Sequence, residues 1–138
     1  MNFVFLMDPL ENVDVKKDTT YIFMLNAFKR GHNIFYLSDE GLTRKNGQTQ
    51  FHVQQVNVSV EPKCPFEIVQ ESTLMDTDVD AVFVRTDPPF DEQYLMHTWL
   101  LDLLPKRIFV MNKPSGIRAV NEKIWATQFT DLVPPTLV

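Results

Sequence analysis

The sequence predicts an α/β fold: a mostly parallel β-sheet flanked by helices, with an inserted antiparallel β-hairpin. Apolar runs of strand length recur at Phe3–Met7, Asn33–Leu37, Ala81–Val84 and Ile108–Met111, and two amphipathic stretches punctuate the series. Asn46-Gly47 lies in a polar turn beside β-branched, half-alternating sequence, which is the signal of a hairpin. The 138 residues are 44% hydrophobic and 22% charged, which suits one globular domain with its own core.

Phe3 to Met7 is short enough for a buried strand, and Asp8-Pro9 ends it. After a polar loop through Lys17, Asp18 or Thr19 caps a helix. Tyr21, Met24, Leu25 and Phe28 share one face of that helix. Lys29 and Arg30 suit its negative end, and Gly31 suits a left-handed cap. Asn33 to Leu37 then completes a β-α-β unit.

The middle of the chain differs in character. Phe51, Val53, Val56, Val58 and Val60 are interspersed with polar residues, which reads as an antiparallel ribbon turning at Lys45-Asn46-Gly47-Gln48. Glu61 to Pro65 breaks it, and Phe66 to Val69 reads as a short strand or a helical turn. Asp76, Asp78 and Asp80 imitate the start of a calcium loop. Ala81 and Asp87 stand where that loop needs glycine and glutamate, so solvated acids are the better reading.

Ala81 to Asp91 organises the rest. The strand stops at Arg85, Pro88-Pro89 forbids further pairing, and Asp91 caps a helix that runs to about Leu104. Met96, Trp99, Leu100 and Leu103 share a face of that helix, and Pro105 stops it. Ile108 to Met111 is a last buried strand ended by Asn112-Lys113-Pro114. Ser115 can cap a helical stretch with Ile117, Val120 and Ile124 on one stripe. Thr136 to Val138 reads as the opening of another strand, and its abruptness suggests a chain that continues.

A net charge of −5 argues against nucleic acid as a partner, which demands a basic footprint. The single cysteine, Cys64, builds no disulfide framework, so a reducing, cytoplasmic setting is expected. The start reaches Asp8 without a basic leader, and no apolar run approaches membrane-spanning length, so no membrane partner is expected. The four glycines form neither a dinucleotide fingerprint nor a P-loop. His32, His52 and His97 have no metal-ligand spacing with one another or with Cys64, and there is no nucleophile elbow. No catalytic residue and no metal ligand is therefore assigned.

Three loops leave the carboxyl ends of expected parallel strands: Asp8-Pro9, Arg85 to Pro89, and Asn112 to Pro114. Ligands bind at that edge of open α/β sheets. Arg85 can grip a carboxylate through two parallel hydrogen bonds, or it can pair with Asp87 or Asp8. By physics alone Lys113 is a solvated lysine and Asn112 a turn residue. Lys16 to Thr20 enter the first helix where free N–H groups favour anions, so Lys17, Thr19 and Thr20 are a candidate anion site beside the cap.

The run Arg85-x-Asp87-Pro88-Pro89-Phe90-Asp91 resembles a loop motif of bacterial glutathione synthetases. Met7-Asp8-Pro9 followed by Lys16-Lys17-Asp18-Thr19-Thr20, then Asn112-Lys113-Pro114, Asn121-Glu122-Lys123 and Thr136-Leu137-Val138, agree in order and rough spacing. The match is weakest from about Leu42 to Met75. The resemblance implies a Rossmann-like pre-ATP-grasp domain over residues 1–120, with 121–138 opening a linker into an ATP-grasp region. It implies ATP-dependent joining of γ-glutamylcysteine to glycine through an acyl phosphate, with Mg2+ bridging the nucleotide phosphates. It places Arg85, Asp8, Asn112 and Lys113 at the dipeptide and Lys123 at the phosphates, and it implies that ATP and Mg2+ are held mainly beyond residue 138. A homo-oligomer at full length is expected, and no turnover by the 138 residues alone. Taken without the resemblance, Lys123 is a surface lysine beside Glu122 or Asp131. Thr86 stands where family members carry a basic residue, which bears on substrate identity. The rival readings are another ATP-grasp amino acid or peptide ligase, and a non-catalytic binding module.

Overall fold

The computed structural model describes residues 1–120 and 124–137. Its strands are β1 (Asn2–Leu6), β2 (Asn33–Lys45), β3 (Gln48–Val58), β4 (Phe66–Met75), β5 (Ala81–Val84) and β6 (Phe109–Met111). Its helices are α1 (Thr19–Lys29), α2 (Glu92–Asp102) and α3 (Pro114–Ala119), with 3-10 turns at Leu10–Asn12, Asp76–Asp78 and Trp125–Gln128. One sheet runs in the order β4-β3-β2-β1-β5-β6. β1 pairs in parallel with β2 and β5, and β5 with β6, whereas β3 is antiparallel to both β2 and β4.

The centre of the sheet is buried on both faces, which explains why β1 and β5 read as unbroken apolar runs. Successive side chains point to opposite faces. Val4, Leu6, Val82 and Val84 join one core with Leu101 of α2. Phe5, Met7, Ala81 and Phe83 join the other with Tyr21, Met24, Leu25 and Ala27 of α1. Phe5 is fully buried and stacks on Phe83 at 4.8 Å between ring centroids. Deleting such a ring from a packed core costs about 3–5 kcal/mol. The face expected for α1 is the buried one, with Phe28 at its margin.

The hairpin turn lies where Asn46-Gly47 places it, with φ of 53° and 81° at the two residues. The expected antiparallel hairpin is present, and it is continuous with the parallel sheet. β2 continues from the parallel sheet straight into the hairpin, so the expected strand over Asn33–Leu37 is only its first part. A register shift lies between Leu37, opposite Val53, and Leu42, opposite Phe51. Four residues, Ser38 to Gly41, thus face His52 alone. A Cβ on Gly41 would lie 2.5 Å from Leu37 Cδ1 and 2.6 Å from the His52 carbonyl oxygen, so close backbone approach demands glycine there. Of the two readings of Phe66–Val69, the strand is correct, and it extends to Met75 as a largely exposed edge.

α2 corrects an expectation. Met96, Trp99 and Leu103 are exposed, and Leu100 is only partly buried; the inward face carries Tyr94, His97, Thr98 and Leu101. Periodicity fitted both stripes, and hydrogen bonding decided between them. Thr98 Oγ1 donates to the Leu95 carbonyl at 2.7 Å, and His97 Nε2 lies 2.7 Å from the Asp39 carbonyl oxygen, so both polar side chains are satisfied inside. At α3 the cap is Lys113 rather than Ser115, because Pro114 takes the first helical position, where its missing N–H is harmless. α3 ends at Ala119, so the stripe expected to reach Ile124 is not one helix. Residues 134–137 form no strand, having no pairing partner among the described residues; Val138 lies outside them.

Candidate functional site

The carboxyl ends of β1, β5 and β6 share one edge of the sheet, because all three run parallel. Leu6 is level with Val84, so Arg85 emerges beside Met7 and Asp8, and its backbone N–H donates to the Leu6 carbonyl at 2.7 Å. α1 enters the same edge. Asp18 is its cap, and its Oδ1 accepts from the N–H groups of Thr20 (2.6 Å) and Tyr21 (3.0 Å). Together they line an open cleft of about 460 Å³ whose walls include Asp8, Lys17, Thr19, Thr20, Arg85 and Asp87.

The Arg85 guanidinium is held by neither carboxylate suggested by its sequence neighbours. Nε donates to Thr20 Oγ1 and Nη2 to Thr19 Oγ1, both at 2.9 Å. Among the described residues the ion pairs are Lys17–Asp14 and Arg118–Asp102, and none involves Arg85. Asp8 Oδ2 instead accepts the backbone N–H of Asp87 at 3.0 Å and fixes the loop after β5. The two threonines occupy the Nε–Nη2 side of the guanidinium. Its other fork, Nη1 with the second Nη2 hydrogen, has no partner among the described residues. A planar fork of that kind matches a carboxylate.

A second, smaller cavity of about 110 Å³ adjoins this edge. Asp8, Asp39, Asp87 and Asp91 surround Tyr94 and His97 there. Burial raises the Asp39 carboxyl above the ordinary range; His97 counters this, and Asp8 and Asp91 add to it. Asp39 Oδ1 is buried without a hydrogen-bond partner among the described residues. Burial also raises the Tyr94 phenol, with Arg85 opposing and Asp87 and Asp8 reinforcing the shift.

The structure thus brings Asp8, Lys17, Thr19, Thr20 and Arg85 to one cleft. Asp18 takes up the N–H groups of Thr20 and Tyr21 at the start of α1, so what an anion meets there is chiefly the Lys17 ammonium and the threonine hydroxyls. Asn112 and Lys113 follow β6 at the same edge, both exposed, but they line neither cavity. The Pro88–Pro89 and Met111–Asn112 peptide bonds are cis. Lys123 lies outside the described residues. Asp39, Tyr94 and His97 were not legible as site residues, because the bulge that swings Asp39 over α2 has no local signal except Gly41. Among the described residues no group of three His, Cys, Asp or Glu side chains is arranged to hold a metal ion, and no helix is long and apolar enough to cross a membrane.

Comparisons with known proteins point to one family. The family model described as "Prokaryotic glutathione synthetase, N-terminal domain" matches residues 1–118. The chain is 34% identical over 134 residues to a glutathione synthetase of Escherichia coli strain K12, and 36% identical over 134 residues to one of Pseudomonas syringae pv. tomato. A glutathione synthetase of Vibrio cholerae is 32% identical over the same length. Each match covers 96% of this chain and 42% of the relative, so the chain spans less than half the length of these curated relatives.

Proposed function

The chain belongs to the family of prokaryotic glutathione synthetase N-terminal domains, and from that premise we propose that it forms the dipeptide-binding wall of an ATP-dependent carbon–nitrogen ligase. The observation that carries this reading is the Arg85 fork held open by Thr19 and Thr20. Its free side grips a carboxylate of γ-glutamylcysteine, and Asp8 keeps the loop carrying it in place. Asn112 and Lys113, at the end of the neighbouring strand, extend the same wall. Lys17, beside the threonine hydroxyls, is a site for a second anionic group. Residues 1–120 form the substrate-side domain, and 121–138 lead towards the region that grasps the nucleotide, with Lys123 reaching its phosphates.

In this reading the cysteinyl carboxylate takes the terminal phosphoryl group of ATP with release of ADP. The glycine amine then attacks the acyl carbon and displaces phosphate. Mg2+ neutralises phosphate charge when bound. In this reading its ligands lie in the part of the relatives' length that this chain does not span. The enzyme so formed is read as cytoplasmic and homo-oligomeric. In this reading the described residues provide the acceptor wall, and the 138 residues alone do not turn over.

Titration of the chain with γ-glutamylcysteine, followed residue by residue by NMR, tests this. Shifts should cluster around Arg85, Thr19, Thr20 and Asp8. Arg85→Ala should remove a charged hydrogen-bonding partner worth about 1.5–3 kcal/mol, tenfold or more in affinity. Binding unchanged in that variant, or no binding at all, would overturn the assignment. Incubated with ATP, Mg2+, the dipeptide and glycine, the chain should release no phosphate. Turnover at an ordinary enzymatic rate, about 1 s⁻¹ or more, would require a site not described above.

A further inference from the structure

The small cavity beside the Arg85 cleft takes no part in holding a carboxylate. Its volume of about 110 Å³ suits one small polar group of a ligand rather than a whole molecule. It shares Asp8 and Asp87 with the cleft, so a group inside it stands next to whatever Arg85 holds. Two devices fix Asp39 in its wall. The bulge from Ser38 to Gly41 lifts Asp39 out of the β2–β3 ladder, and re-aiming a side chain is what bulges beside binding sites do. His97, only 5% exposed on α2, then pins the bulge by donating from Nε2 to the Asp39 carbonyl oxygen at 2.7 Å. The outcome is a costly group: Asp39 Oδ1 is buried and meets no donor among the described residues. Burial and the carboxylates of Asp8 and Asp91 disfavour its charge, which a cation beside it would offset.

We propose that Asp39 is a specificity-determining residue that receives the α-ammonium group of the γ-glutamyl residue, while Arg85 holds the α-carboxylate of the same carbon. His97 is its positioning residue. This rests on the assignment of Arg85 to the dipeptide and deepens it. Adjoining sites of opposite sign are what a zwitterionic amino-acid end requires, since both of its charges sit on one carbon. The cavity wall has Asp8, Asp39, Asp87 and Asp91 and neither lysine nor arginine, so it favours a cation. Among the described residues no three His, Cys, Asp or Glu side chains converge as metal ligands. An ammonium does not need such convergence, because its three N–H donors can be satisfied by separate acceptors. Its bond to a carboxylate is charge-assisted and therefore strong. The site thus selects a γ-glutamyl group over an acyl chain of equal length that lacks the amine.

Calorimetric titration of the chain with γ-glutamylcysteine and with glutarylcysteine, the same dipeptide without the α-amino group, provides the test. The wild-type chain should prefer γ-glutamylcysteine by about tenfold or more. Asp39→Asn should abolish that preference. His97→Phe, which keeps a ring and loses the donor, should shrink it, and His97→Gln, which presents a donor at similar reach, should restore it. The preference is a ratio of two affinities, so a variant that is merely less stable lowers both and leaves the ratio alone. Arg85→Ala should weaken both ligands and keep the preference. Equal affinities of the wild-type chain for the two dipeptides would overturn the ammonium site and leave Arg85 in place. A preference that survives Asp39→Asn would overturn the role of Asp39, and one that survives His97→Phe would overturn that of His97. Failure of both dipeptides to bind would overturn the assignment of Arg85 and this inference with it.

Discussion

Arg85 and Thr20 are 65 residues apart in sequence, and their side chains meet at 2.9 Å between Nε and Oγ1. Thr20 is buried at the start of α1, whereas Arg85 is exposed at the end of β5. The contact joins a buried acceptor to an exposed donor. The threonine therefore sets the direction of the guanidinium and loses little by doing so.

Thr20→Val keeps the shape of the side chain and removes that acceptor. Because Arg85 is solvated, water replaces much of the lost bond, and stability should fall by only about 0.5–1.5 kcal/mol. Affinity for a carboxylate ligand should fall more clearly, because Arg85 then samples other rotamers. Thr20→Ser, which keeps the hydroxyl, should recover most of it. Denaturant unfolding and NMR titration of the two variants check this. Equal affinities in the valine and serine proteins would mean that Thr20 does not orient Arg85.

Gly41→Ala tests the bulge. A methyl group there meets the His52 carbonyl, which belongs to the β3 backbone and cannot swing aside. The strand must shift, at a cost of about 1–3 kcal/mol. A urea unfolding midpoint should drop accordingly. Because His97 reaches the Asp39 carbonyl across the same bulge, the His97 ring resonances should move too. An unchanged midpoint would show that β2 and β3 absorb the methyl group without strain.

Asp39→Asn tests the acidic rim. The carboxyl of Asp39 is raised in the folded state, so its charged form is disfavoured there. That penalty is fully present above the folded value. It fades as pH falls through that value towards about 4, the ordinary carboxylate value of the unfolded chain. The wild-type protein should therefore gain from this group on mild acidification, and Asp39→Asn should flatten that part of the profile. Thermal unfolding of both proteins between neutral and mildly acidic pH measures the difference. Parallel profiles would indicate that Asp39 is not desolvated in solution.

Much of the architecture is local and could be read from the chain. The buried runs at Val4 and Val82, the helical face of Tyr21, Met24 and Leu25, the cap at Asp18 and the Asn46-Gly47 turn each follow from periodicity or from what a few adjacent residues can do with their backbone. The sheet edge bearing Asp8, Arg85 and Asn112 follows as well, since strands that run parallel direct their carboxyl ends to the same side of the sheet. What tertiary structure alone decided is which partner each group meets. The partner of Arg85 could be Asp8, Asp87 or something distant, and β1–β5 register with the docking of α1 made it Thr19 and Thr20. α2 carried two stripes of comparable fit, and the Asp39 carbonyl, available only through the bulge in β2, drew His97 inward and left Trp99 outside. Hydrophobic pattern is a property of one segment, whereas satisfying a buried polar group requires an atom from another, and no segment contains the position of its neighbour.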